Sequence, residues 1–151
     1  MTAPPIQEGD FVWCAFPEHE APLRPGPIHI GYTLAVSGAT SLSGFPSALV
    51  GYTTSQPWPS DVRLPRGVFA FDREEAGNFG QPRAFVMDLR RIAYVPVTQT
   101  WFPRLGEDGN GTLGHAPKAQ QRLFRDTAND LIARHGESLD RLGPLWPGSR
   151  L

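Results

Sequence analysis

Sixteen glycines and sixteen prolines stand among 151 residues, and they fall between short apolar runs. Proline in a helix interior costs about 3 kcal/mol and glycine about 1 kcal/mol, so a helical bundle of this composition would be interrupted repeatedly. Short strands joined by tight turns tolerate both residues better. The apolar runs agree. "DFVWCAF", Asp10 to Phe16, is apolar on both alternating faces, with Phe11, Trp13 and Ala15 against Val12, Cys14 and Phe16. A strand buried on both sides fits a small barrel, or a barrel that dimerises. "IHIGYTLAV" alternates, with Ile28, Ile30, Tyr32, Leu34 and Val36 on one face. "ALVGYTT" reads as a third strand, and "GVFAF", "AFVMDL" and "IAYVPV" as later ones, Pro96 marking an edge or a bulge.

Between these runs, "PEHEAPLRPGP" reads as a long loop, and "SGATSLSGFPS" and "GEDGNGTLG" as turn-rich connections. The period then changes. From Lys118 to His135 the apolar positions are Leu123, Phe124, Ala128, Leu131 and Ile132, an amphipathic helix with Pro117 near its start and Gly136 just past its end. The closing "RLGPLWPGSRL" is too rich in proline and glycine to be regular. The expectation is one mainly β domain over residues 1–151. It comprises a small antiparallel barrel over about 9–105, a C-terminal helix over about 117–135 and an irregular tail over 136–151. Trp13, Trp101, Trp146 and several phenylalanines exceed what a small barrel interior holds, which points to a homodimer.

Charge and cysteine usage exclude several classes. The net charge is −1, with residues 1–60 at −3, 61–104 at +2 and the remainder balanced. Any phosphate contact must therefore be a local patch. Thirteen of the fourteen basic residues are Arg, a bias that suits phosphate binding but that a GC-rich genome also produces. One cysteine, Cys14, rules out an intramolecular disulfide and favours a reducing compartment. "MTAPPIQEGD" has no basic or apolar leader pattern, and no apolar run reaches the length of a membrane span. A cytoplasmic protein without a membrane segment is expected.

Common enzyme signatures are missing from the sequence: no paired-cysteine zinc pattern, no Walker-type glycine loop, no G-x-S-x-G elbow. His19, His29, His115 and His135 are scattered without metal-ligand spacing, so no metal or cofactor is expected. His29 reads as a surface or satisfied histidine, and His135 suits the negative end of a helix dipole. What remains is a constellation. Arg24-Pro25 sits in the loop between the first two strands, and "TTSQ", Thr53 to Gln56, closes the third. In a meander-like barrel these two places can share a rim. An arginine and a hydroxyl there could hold a phosphodiester and stabilise the charge that builds during its cleavage. The plainer readings are a solvated loop arginine and a hydroxyl that caps the strand end.

"GDFVWCAF", then "RP" in the following loop, then a strand, then "ALVGYTTSQ", resembles the PemK/MazF family of toxins from toxin–antitoxin systems. "MDLRRIAYVPVTQTWFPRLG" is similar to the family's later segment, where an Asp and an Arg precede an apolar strand and an "RLG"-like turn. The match spans about residues 9–135, with Gly9-Asp10, Arg24-Pro25 and Thr54-Ser55 its specific elements. It implies an SH3-like barrel that dimerises and acts as a metal-independent endoribonuclease on single-stranded RNA, restrained by a cognate antitoxin protein. Carried over, the catalytic Arg falls on Arg24 and the active-site Thr on Thr54, with Ser55 adjacent; His19 and Gln56, close to them in the sequence, are further candidate substrate contacts. Gly9-Asp10 matches a motif that is structural. RNA carries its own nucleophile, the 2′-OH, so the enzyme need only align it and neutralise the oxyanion. Arg is effectively always protonated, so His19, Glu18 or Glu20 is the better proton acceptor. The sequence departs from the family where "GP" follows Arg24-Pro25 and where "QPRAFVMD" lacks a serine. The competing reading is a noncatalytic SH3-like barrel that grips a protein partner, or a purely structural barrel.

Overall fold

The structure, a computed structural model, describes residues 5–38, 44–134, 136 and 139–146. Seven strands form one sheet: β1 (Asp10–Ala15), β2 (Ile28–Ser37), β3 (Ser47–Thr54), β4 (Val68–Phe71), β5 (Phe85–Pro96), β6 (Thr112–His115) and β7 (Asp140–Leu142). Helix α1 (Arg73–Gly77) links β4 to β5, and helix α2 (Lys118–Arg134) follows β6. The strand order is β4-β5-β3-β2-β1-β6, with β7 also pairing β5. All pairings are antiparallel except β5 with β7, which is parallel. The fold is thus mainly β with a C-terminal helix, as the alternating runs imply.

The sheet does not close on itself, because β4 and β6 do not pair with each other. The outer edge of β6 is instead met by the chain after α1, where the Phe79 carbonyl accepts the His115 N–H at 3.2 Å. A Cβ on Gly114 would collide with that same carbonyl, so only glycine permits this approach.

Both faces of the sheet are covered from within the chain. On one face α2 presents Phe124, Ala128 and Leu131 to Phe11, Tyr32, Met87, Leu89 and Ile92. On the other, Val12, Cys14, Val50, Ala93 and Val95 pack against Ile6, Trp101, Phe102 and Leu142. This is why β1 is apolar on alternate residues of both parities. Trp101 and Trp146 are each only 6% exposed, so much of the surplus aromatic surface that suggested a dimer is buried inside the monomer. Leu123, counted among the apolar positions of the helix, lies 50% exposed, and the buried stripe takes Gln121 instead.

Three further expectations need correction. "AFVMDL" and "IAYVPV" are one strand, β5, rather than two. It is bent: Gly51 of β3 faces Ile92 while Tyr52 faces Asp88, so Leu89, Arg90 and Arg91 form a bulge against β3. The bulge is held by the Arg90 guanidinium, which grips Asp88 with two hydrogen bonds of 2.9 Å, and by the Leu89 N–H to the Gly67 carbonyl at 2.8 Å. Second, the tail is not wholly irregular. Asp140–Leu142 adds to β5 as β7 because the outer edge of Arg91–Ala93 lies beyond the reach of β4 and is free to pair. Third, "GNGTLGH" contains β6, pairing β1 with a register shift at Phe11/Val12. His135 and residues 147–151 lie outside the described residues.

Candidate active site

The end of β3 carries Thr53, Thr54, Ser55 and Gln56, and the pleat sends successive side chains to opposite faces. Thr53, 5% exposed, donates its hydroxyl to the Ile30 carbonyl and so ties β3 to β2. Thr54 accepts the Gln56 N–H at 3.2 Å, a local turn that closes the strand. Ser55 and Gln56 are exposed. One of the three hydroxyls is thus consumed by structure, and Thr54 keeps its proton to donate.

Thr54 shares its face with a polar cluster. The register of β2 on β3 sets Gly31 opposite Tyr52, and carried two residues further it brings His29 beside Thr54. The His29 ring lies 5.4 Å from that of Tyr52, and the Arg91 guanidinium sits 4.1 Å over the Tyr52 ring. The bulge in β5 aims Arg91 there, a use to which bulges are commonly put. Behind it, Asp140 of β7 lies 3.9 Å from Arg91 and takes both carboxylate oxygens to within 3.1 Å of His19 Nδ1. Burial lowers the His29 pKa from its ordinary 6.5, Arg91 lowers it further, and Glu18 opposes them. His29 is therefore neutral at neutral pH, with a fixed cation nearby.

Around the same strand ends runs a groove of about 670 Å³. Phe11 and Trp13 of β1, Ile30 of β2, Thr53 of β3 and Phe85 of β5 wall it, and Ser55, Gln56, Gln81 and Arg83 add polar groups. Arg83 is the one Arg or Lys among the lining residues. A shallower compartment of about 350 Å³ continues past Ser55 and Phe85 to Trp58, Asp72 and Glu75. His29 and Thr54 border the groove as well, so the polar cluster and the groove meet at one rim.

The residues singled out from sequence fall as follows. Thr54, Ser55 and Gln56 stand at the rim together. His19 is joined to the Arg91 cluster through Asp140, a residue 121 positions away. Arg24 is exposed in the loop after β1 and does not line the groove. Its guanidinium has no hydrogen bond or ion pair among the described residues, and its N–H bonds to the Ala21 carbonyl at 3.2 Å. That loop is anchored by the Gly143 N–H to the Pro22 carbonyl at 2.6 Å, on the side of β7 and Asp140. Sequence reasoning passed over His29, Tyr52 and Arg91. The available signal was a pair of arginines interrupting an apolar strand, "LRRIAYV", and a histidine alternating with apolar residues.

Neither a family model nor a curated protein sequence matches the chain.

Proposed function

We propose that the protein is a toxin-like, metal-independent endoribonuclease that cuts single-stranded RNA in the cytoplasm and is restrained by an antitoxin protein. The observation that carries this reading is that His29 and Thr54 both border a groove with aromatic walls, with the Arg91 guanidinium over the Tyr52 ring that His29 meets. RNA cleavage by the 2′-OH needs a base, a cation for the oxyanion and an acid for the leaving oxygen, and His29, Arg91 and His19 are the residues we assign to these parts. His29 takes the 2′-OH proton as the 2′-oxygen attacks phosphorus. Arg91 and the Thr54 hydroxyl stabilise the equatorial oxygens. His19, held by Asp140, gives a proton to the 5′-oxygen as its bond to phosphorus breaks. The products are a 2′,3′-cyclic phosphate and a 5′-OH. Arg24, unpaired in the neighbouring loop, supplies a second cation to the incoming strand. His29 here takes the role that the loop residues were expected to fill.

The rival reading, a noncatalytic barrel that binds a protein, is favoured by the exposure of Leu23 at 51% and Ile28 at 57% on either side of Arg24. Apolar side chains left open in this way suit a partner surface, and the same surface would serve an antitoxin or a second protomer. The test is purified protein with single-stranded RNA in EDTA. Cleavage is expected at an unchanged rate, with cyclic-phosphate ends, while DNA of the same sequence stays intact because it lacks the attacking hydroxyl. Intact RNA across diverse sequences would remove the ribonuclease reading and leave the protein-binding domain.

A further inference from the structure

Two neighbouring arginines of the β5 bulge are held in different ways. Arg90 lies 5.7 Å from the centre of the Trp58 ring, but its guanidinium is spent on Asp88 through two hydrogen bonds of 2.9 Å. Arg91 lies closer to a ring, 4.1 Å from the centre of Tyr52. Its side chain makes no hydrogen bond among the described residues. The carboxylate that faces it, Asp140, is 3.9 Å away, beyond hydrogen-bond range. Both oxygens of that carboxylate lie 3.1 Å from His19 Nδ1 instead.

A guanidinium carries five N–H donors, all in its plane and all directed outward from its edge. The Arg91 side chain is only 30% exposed, and a largely covered polar group with its donors unspent is open to a ligand. At 4.1 Å the guanidinium carbon is at stacking distance, so Arg91 meets Tyr52 by its face. The negative π face of the ring attracts the cation without using any of its donors. Tyr52 is itself seated against Phe16, a 2% exposed residue whose ring lies 5.3 Å away. The Tyr52 hydroxyl has no hydrogen bond among the described residues, so the ring rather than the phenol is what its neighbours use.

We infer that Tyr52 is the positioning residue of the site: its ring holds Arg91 by the face of the guanidinium and leaves the edge open to a phosphate. This rests on the reading of the site as one for single-stranded RNA. Tyr52 acts through Arg91 and does not itself touch the phosphate.

A 2′-O-methyl uracil oligonucleotide, which cannot be cut, is the probe, with affinity read by fluorescence anisotropy. Arg91→Gln is expected to weaken binding about tenfold, as for a lost charged hydrogen bond. Tyr52→Leu removes the ring and is expected to weaken it about fivefold, in the range of a cation–π contact. Tyr52→Phe restores the ring and is expected to recover affinity to within about twofold of the parent. In the Arg91→Gln background, Tyr52→Leu is expected to add less than about twofold, because the cation it would misplace is gone. Should Tyr52→Leu fail to fold, a trifluorinated phenylalanine at the same position replaces it, since it keeps the shape of the ring and withdraws its negative face. Loss of the ring that weakens binding equally in both backgrounds is a packing effect and overturns the inference. Tyr52→Phe as weak as the ring-less variant overturns it too, as does parental affinity in Arg91→Gln or in the variant without a negative ring face. Each of these results leaves RNA binding standing. A parent protein that does not bind the probe overturns both readings.

Discussion

The two most motif-like stretches of this chain, Gly9-Asp10 and Thr53 to Gln56, are built to opposite rules. At the first, every polar group is satisfied from within. Asp10 Oδ2 accepts the Gln7 N–H at 2.9 Å, and Oδ1 lies 2.7 Å from His115 Nδ1. Gln121 closes the network on His115 Nε2, so Nδ1 carries the proton and donates to Asp10. The network ties β1, β6 and α2 together. Gly9 adopts φ +96°, and a Cβ there would come within 2.5 Å of the Gln121 side chain. At the second stretch, Thr53 is committed, while the Thr54 proton and the Ser55 hydroxyl have no partner among the described residues. A saturated network fixes the fold. An unsaturated rim on that fixed frame is where a ligand gains most, since its groups meet donors and acceptors that have no competitor.

The contrast breaks most visibly at Asp10. Asp10→Ala leaves the Gln7 N–H and the His115 ring without their acceptor, and is expected to cost about 3 kcal/mol. The thermal midpoint should fall by about 9 °C, with RNA cleavage per folded molecule unchanged well below it. A shift within a degree or two would mean that the network is ornamental.

His29→Gln tests the other side of the comparison. On the proposed mechanism, His29→Gln slows RNA cleavage about 100-fold or more, while stability changes by less than about 1 kcal/mol, as is usual outside a packed core. A variant that unfolds as readily as Asp10→Ala would place His29 with the saturated network instead.

The smallest expected effect is in pH. His29 binds its proton less readily in the folded chain than in the unfolded one. Above its ordinary value of 6.5 both states are neutral, and the group contributes no pH dependence. As pH falls below 6.5, the unfolded chain protonates first, and stability declines until the folded chain protonates too. Cleavage should decline through the folded pKa, on the same acid side. Chemical denaturation of the parent and of His29→Gln over this range should differ in slope only below 6.5. Parallel curves would show that His29 does not titrate as its surroundings require.

Cys14 differs from all of these. Burial pushes its thiol up to about 12, so it packs as a small apolar group and takes no part in the chemistry.

How much of this was legible beforehand depended on the range of the interaction. Period-two alternation in "IHIGYTLAV" is a local property, and it marked β2 with Tyr32 and Leu34 inward. The double-faced "DFVWCAF" foretold a strand covered on both sides. The change to a helical period marked α2 to within a residue at its start. Thr54, Ser55 and Gln56 could be named because a row of hydroxyls at a strand end exceeds what solvation needs. Other features could not be read from one stretch at a time. The Arg91 side chain reaches Tyr52 only because β5 bulges by Leu89, Arg90 and Arg91 against β3. A bulge is a matter of pairing between strands, with no fixed signature in either alone. His19 meets Asp140 because β7 takes the free outer edge of β5, an event decided by which edge remained unpaired. Gln81 joins the groove wall because the chain after α1 is pressed against Gly114. Side-chain period follows from covalent geometry and is written in the neighbours. Where two distant segments meet depends on the total burial and edge pairing of the whole chain, and only the folded molecule sums those terms.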